Sequence, residues 1–149
     1  MTKQQLKAKL KERWILFRVF IGLKIDALRL DMAVFMADAL QRARNKRFYV
    51  IENAQGKLIW ICNDDIAAMK KPRRVRKLVN GRLRTYKISM LPKNVDHLTI
   101  MRDSLYYTPI SRNNSNGITV EERNRRVAGW LKYMERIRMN RLVGKLEAK

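Results

Sequence analysis

The sequence predicts an α+β fold in which long N- and C-terminal helices pack with a small antiparallel sheet of β-hairpins. Three observations carry this prediction. Apolar residues recur at helical spacing through the first 45 residues and again after residue 119, strand-type apolar runs fill the stretch between, and turn residues stand where those strands must reverse. The chain has 149 residues, 46% of them hydrophobic, which is ordinary for a globular protein. A single domain is expected, with a helical arm at 1–45, a hairpin-rich α+β core at 46–110 and a basic helix at 119–147.

Thr2 opens the first helix, with Gln5 at the spacing of a capping box. Leu6, Leu10, Trp14, Phe17, Ile21, Leu28, Met32, Phe35 and Ala39 follow at steps of three, four or seven, which places them on one helical face. Helical spacing among Leu and Met neighbours favours packing for Trp14 and Phe17. Leu16, Phe20 and Leu23 form a second stripe, so this part of the helix needs cover from other elements or from another subunit. Trp14, Phe17, Phe20 and Ile21 are therefore the expected interface of a homo-oligomer. Gly22 reads as a bend. A continuous helix of this length would span roughly 65 Å at about 1.5 Å per residue, so it must break or project.

The apolar run Trp14 to Leu23 lies behind the basic stretch Lys3 to Arg13, the order found in a signal peptide. Arg18 interrupts the run, no convincing small-residue cleavage site follows, and Lys24, Asp26, Arg29 and Asp31 come next. The run also falls well short of the roughly 20 apolar residues of a bilayer span. Neither export nor a membrane span is expected, which points to the cytoplasm, or to a virion if the chain is a phage structural protein.

From Arg47 to Asn63 the period changes. Phe48 to Ile51 and Leu58 to Cys62 flank Asn53-Ala54-Gln55-Gly56, which reads as a β-hairpin with apolar residues in both alternating sets, as in a central pairing buried on two sides. Asn63 or Asp64 should cap a short helix over Asp65 to Lys71, ended by Pro72. A second hairpin is centred on Asn80-Gly81, the preferred pair for a type I′ turn. Closing it with Val79 opposite Arg82 puts Val75, Lys77, Val79, Arg82, Arg84 and Tyr86 on one face, and Arg74, Arg76, Leu78, Leu83, Thr85 and Lys87 on the other. Both faces are basic, so the ribbon is expected to stand partly clear of the core. A short helix from Asn94 or Asp96 to Arg102 and a strand at Leu105 to Thr108 follow, then a polar, mobile loop at Ser111 to Gly117. Thr119 and Glu122 form a second capping box. The helix they open runs to about Leu146, with Val127, Trp130, Met134 and Ile137 on its apolar stripe, acids at its start and bases at its end.

The runs RFYVIENAQGKL at Arg47 to Leu58 and SLYYTP at Ser104 to Pro109, with the basic helix after ITVEER, resemble short basic proteins carried by bacterial phages and mobile elements. The similarity covers roughly residues 30 to 140. It implies a phage or mobile-element context, in which small basic proteins bind the genome, regulate it or sit in the virion beside phage structural proteins. It assigns no residue a role.

Thirty-four Lys plus Arg against 13 Asp plus Glu leave a formal charge of +21. A chain so cationic repels itself, and phosphates are the commonest counter-charge. Nine bases and no acid lie between Lys70 and Lys87. Lys70, Lys71, Arg73, Arg74, Arg76, Lys77, Arg82, Arg84 and Lys87, with Tyr86 for stacking, are thus the expected nucleic-acid contacts. Tyr106 and Tyr107 are further stacking candidates. Arg125, Arg126 and Arg136 represent a second basic surface on the last helix. DNA is expected ahead of RNA.

Enzyme chemistry has little to build on. One His (His97) and one Cys (Cys62) exclude disulfide frameworks and zinc sites, and Cys62 ends an apolar strand, where a thiol packs as a small hydrophobe. Asp31 and Asp38 share a helix face, but Asp26 is rotated away from them, and Asp64 and Asp65 stand at a helix start, so no Mg²⁺ cluster is evident. No glycine-rich phosphate cradle occurs. The sequence therefore predicts a non-enzymatic nucleic-acid-binding protein without metal or cofactor. The competing expectation is a virion or assembly component that oligomerises through its N-terminal helix.

Overall fold

The computed structural model describes residues 2–53, 56–88, 91, 95–111 and 116–147. In chain order the elements are α1 (Lys3–Arg44), β1 (Tyr49–Glu52), β2 (Leu58–Ile61), α2 (Asn63–Lys70), β3 (Arg73–Val79), β4 (Arg82–Ile88), α3 (His97–Asp103), β5 (Tyr106–Tyr107) and α4 (Val120–Glu147). Long terminal helices with small antiparallel sheets make this an α+β protein. The chain gathers into two compact units, one of α1 up to Met32 together with α4, the other running from Ala33 to Thr119.

In the first unit the capping box forms as its spacing predicts: Thr2 N donates to Gln5 Oε1 at 3.1 Å and Gln5 N to Thr2 Oγ1 at 3.2 Å. The buried stripe of α1, however, is not the large apolar one. Val19, Gly22, Asp26 and Leu30 are buried here, whereas Leu6, Leu10, Trp14, Phe17, Ile21 and Leu28 are exposed. An ion pair lies on this buried face. Asp26, 2% exposed, accepts from Arg138 Nε at 2.8 Å and Nη2 at 2.7 Å, and this two-point geometry aligns α4 with the small and polar face of α1. The carboxylate also raises the pKa of Arg138.

Gly22 serves clearance rather than bending, since α1 runs through it as one helix. A Cβ there would lie 2.5 Å from Arg138 Nη1 and 2.6 Å from its Cζ. Gly→Ala in a helix ordinarily stabilises by up to about 1 kcal/mol. Gly22→Ala should instead destabilise by about 1–2 kcal/mol, the cost of moving a guanidinium tied down by Asp26. Denaturant unfolding checks this. Against an Arg138→Ala background the same change should turn stabilising, and a stabilising effect in the wild type would refute the clearance role.

The second unit is built on a three-stranded antiparallel sheet of order β2-β1-β5, with Tyr49 opposite both Ile61 and Tyr107. β1 is thus central, as its apolar residues in both alternating sets require. Tyr49, Ile61, Ile66, Met69 and Ile100 form the core cluster. Asn53 organises the β1–β2 turn: its side chain accepts from Lys57 N at 2.9 Å, and Gly56 takes φ 77°. α2 begins one turn position earlier than its acids suggest. Cys62 is the N-cap residue, and Asp65 Oδ2 accepts from its backbone N–H at 3.1 Å and lies 3.4 Å from its thiol. Lys71, extended before Pro72, ends the helix. Asp96 caps α3 by accepting from Thr99 N at 2.8 Å, which holds its carboxyl below the usual range. Asn94, the alternative cap, lies outside the described residues, as does most of the Ser111–Gly117 loop.

β5 is shorter than the strand expected at Leu105 to Thr108, but hydrogen bonds from Leu105 N to Val50 O and Thr108 N to Phe48 O extend its pairing with β1 at both ends. Arg47 seals this edge. Its Nε donates to Thr108 O at 2.9 Å, its guanidinium covers the Tyr107 ring at 5.1 Å, and Nη2 reaches Asn116 O.

Candidate nucleic-acid interface

β3 and β4 form a two-stranded sheet of their own within the second unit. Asn80 at φ 52° and Gly81 at φ 78° supply the two left-handed residues that a type I′ turn requires. That turn fixes the register: Val79 faces Arg82, Leu78 faces Leu83, Lys77 faces Arg84, Arg76 faces Thr85, Val75 faces Tyr86 and Arg74 faces Lys87. The two faces are therefore those given by the turn alone. Every residue from Arg73 to Lys87 is exposed except Val79, which is half-buried.

The arrangement concentrates one sign of charge. Arg73, Lys77, Arg82 and Arg84 share one face, and Arg74, Arg76 and Lys87 the other. Arg74 stands directly opposite Lys87, and Lys77 directly opposite Arg84. Like charges in direct cross-strand pairs are destabilising, and a hairpin without a third strand is marginal in water. Among the described residues none of these seven cations joins an ion pair. Charge placed only for solubility needs no such opposition, because a mixture of signs would serve. Lys70 and Lys71 lie at the end of α2, just before β3, and Tyr86 is about one-third exposed.

Other expected site residues are placed differently. Arg125, Arg126 and Arg136 belong to the first unit, on α4. Glu122 accepts from Arg125 Nη2 at 2.7 Å and from Arg126 Nε at 2.9 Å, contacts that draw its carboxyl pKa down, Arg125 contributing most. Arg126 is largely covered, while Arg136 is exposed. Tyr106 and Tyr107 are withdrawn from any stacking role, since Tyr106 Oη donates to Asp38 Oδ1 at 2.5 Å and Arg47 covers Tyr107.

Trp14, Phe17, Phe20 and Ile21 remain exposed, at 47, 60, 58 and 42%. This departs from the packing expected of Trp14 and Phe17 and follows from α4 taking the Asp26 face. Within the same unit, Trp14, Phe17 and Ile21 meet Arg138, Arg141 and Lys145 around an open groove of about 580 Å³. Arg18 lies over the Trp14 ring at 4.9 Å. The sequence did not reveal this groove, because it lies where Arg138 of α4 meets Asp26 of α1, residues 112 positions apart.

Of the residues considered for catalysis, Asp64 and His97 line one groove of the second unit, where Lys46 pairs with Asp64 at 2.5 Å; Cys62 is buried against Asp65, and Asp38 is engaged by Tyr106. Among the described residues no group of three His, Cys, Asp or Glu could hold a metal ion, and no helix is long and apolar enough to cross a membrane. No protein-family model, curated protein or solved structure matches the chain.

Proposed function

We propose that the protein is a non-enzymatic nucleic-acid-binding protein that grips the phosphate backbone with its β3–β4 ribbon. The observation that carries this reading is the direct opposition of Arg74 to Lys87 and Lys77 to Arg84 in an exposed two-stranded sheet. Such a ribbon gains most from an anion that bridges its cations, and phosphates repeat along a strand as these cations do. Duplex DNA is the favoured form. Ribbons enter the grooves of B-DNA, whereas the major groove of A-form RNA is too deep and narrow for side chains to read. Backbone contacts set affinity here, and they carry no sequence information directly.

The test is the ratio of absorbance at 260 and 280 nm of the purified chain before and after a high-salt wash. A raised ratio that falls on washing supports the reading, and a protein-only ratio with no duplex binding at low salt contradicts it. Incubation with DNA or RNA, with and without Mg²⁺, should leave both intact. Reproducible cleavage abolished by Asp31→Ala or Asp38→Ala would make the protein a nuclease.

The exposed stripe of α1 favours a second reading, a virion or assembly component of a phage or mobile element. Phe17, Phe20, Leu28, Met32 and Phe35 are all more than half exposed, and apolar surface of this extent marks an interface. On either reading the chain should self-associate in high salt, where nucleic acid is stripped away. Sedimentation should give a defined oligomer that Phe20→Glu or Ile21→Glu converts to monomer. A wild-type monomer would remove the α1 interface.

A further inference from the structure

Leu78 and Leu83, the second residue pair from the turn of the β3–β4 ribbon, are exposed at 72 and 70%, among the most exposed large apolar residues of the chain. They are directly opposite one another, so they form a single apolar block on one face of the tip. No core claims them. A hairpin of this kind could be kept in register by any β-forming pair, and Thr would do so without exposing hydrocarbon to water. The surrounding charge selects the occupant. Arg76 is the next residue on the same face along β3, Arg74 and Lys87 follow it, and Lys77, Arg82 and Arg84 flank the pair from the other face. An apolar tip ringed by cations fits a site that is anionic at its margins and apolar within. The stacked bases between two phosphate backbones are such a site, and minor-groove proteins exploit it by pushing Leu, Ile, Met or Phe between base steps.

We infer that Leu78 and Leu83 form a wedge that enters a base step of duplex DNA and kinks it, making the protein a DNA-bending protein. This rests on the nucleic-acid reading above and adds a mode of binding. The ribbon's strands are each seven residues long, about 23 Å at 3.3 Å per residue, enough for the tip to reach the bases while the cations hold the backbone. A kink is cheapest at pyrimidine–purine steps or mismatches, so the protein should favour duplexes that contain them.

The test uses the full chain and a short duplex carrying a fluorescence donor and acceptor at its ends. Wild type should bring the ends together, more so with a central TA step or mismatch. Leu78→Thr/Leu83→Thr, which keeps β-forming residues, should abolish the approach and weaken binding by about tenfold while leaving the salt dependence intact. Leu78→Met/Leu83→Met should restore bending, which separates loss of the wedge from loss of the hairpin. Binding without bending, or bending unchanged in the Thr variant, overturns the wedge and leaves the phosphate grip standing. Leu-dependent binding to phosphatidylserine vesicles, with duplex binding and bending insensitive to the same variant, also overturns it and makes the tip a membrane anchor. No duplex binding by wild type overturns both readings.

Discussion

Arg138→Met should destabilise the chain by about 3 kcal/mol or more, the largest single-site effect on stability expected, because it leaves a buried carboxylate without its partner. Asp26 is 2% exposed and both its oxygens are engaged by the one guanidinium. An ion pair of this kind is weak evidence for net stability, since two desolvated charges must first offset their own hydration. Its removal as a pair is therefore far cheaper than its division. Asp26→Leu/Arg138→Met should recover most of the loss, and Asp26→Asn should cost less than Arg138→Met because Arg138, 29% exposed, can turn toward solvent. Urea unfolding of the four proteins checks the ordering. Equal losses in Arg138→Met and the double variant would mean that the contact holds α4 by packing alone.

The same contact explains what the sequence could and could not disclose. The strands and turns around Asn53 and Asn80 are legible because Asn and Gly mark where the chain reverses, and at Asn80-Gly81 the two-residue turn fixes register locally, so the β3–β4 pairing follows from residues 79 to 82 alone. Helix limits were legible where caps act through one or two hydrogen bonds, as at Thr2 and Asp96. The buried face of α1 was not. Periodicity ranks stripes by hydrophobic bulk, so Trp14, Phe17 and Ile21 outweigh Gly22 and Asp26, both of which lie against Arg138, 112 positions beyond Asp26. The sequence places Cys62 at a strand end for a related reason: a thiol is an uncommon cap, and the hydrogen bond its backbone N–H donates to Asp65 is visible only in three dimensions. The cations of the ribbon were identified from the sequence because charge of one sign needs no geometry to be counted. The tip pair was present in the same stretch, yet its meaning depends on exposure.

Replacing Arg74, Arg76, Arg82 and Arg84 by Ser should produce the largest functional effect, a fall in duplex affinity of at least about a hundredfold at low salt. The fold should tolerate the change, since these side chains are exposed and the substitution relieves the Lys77–Arg84 and Arg74–Lys87 oppositions. Because phosphate contacts act alike on all sequences, the loss should not depend on the DNA chosen.

The slope of log affinity against log salt tests the phosphate-gripping ribbon most directly. Each neutralised phosphate contributes about −0.9 to that slope on duplex DNA, so the quadruple variant should show a slope shallower by roughly 3 to 4. A matched chain with Lys3, Lys7, Lys9 and Lys11 changed to Ser carries the same net charge and leaves the ribbon intact. Its slope should stay close to that of wild type. Equal slopes in the two variants would contradict the account, because net charge alone would then explain binding and the ribbon would hold no phosphate of its own.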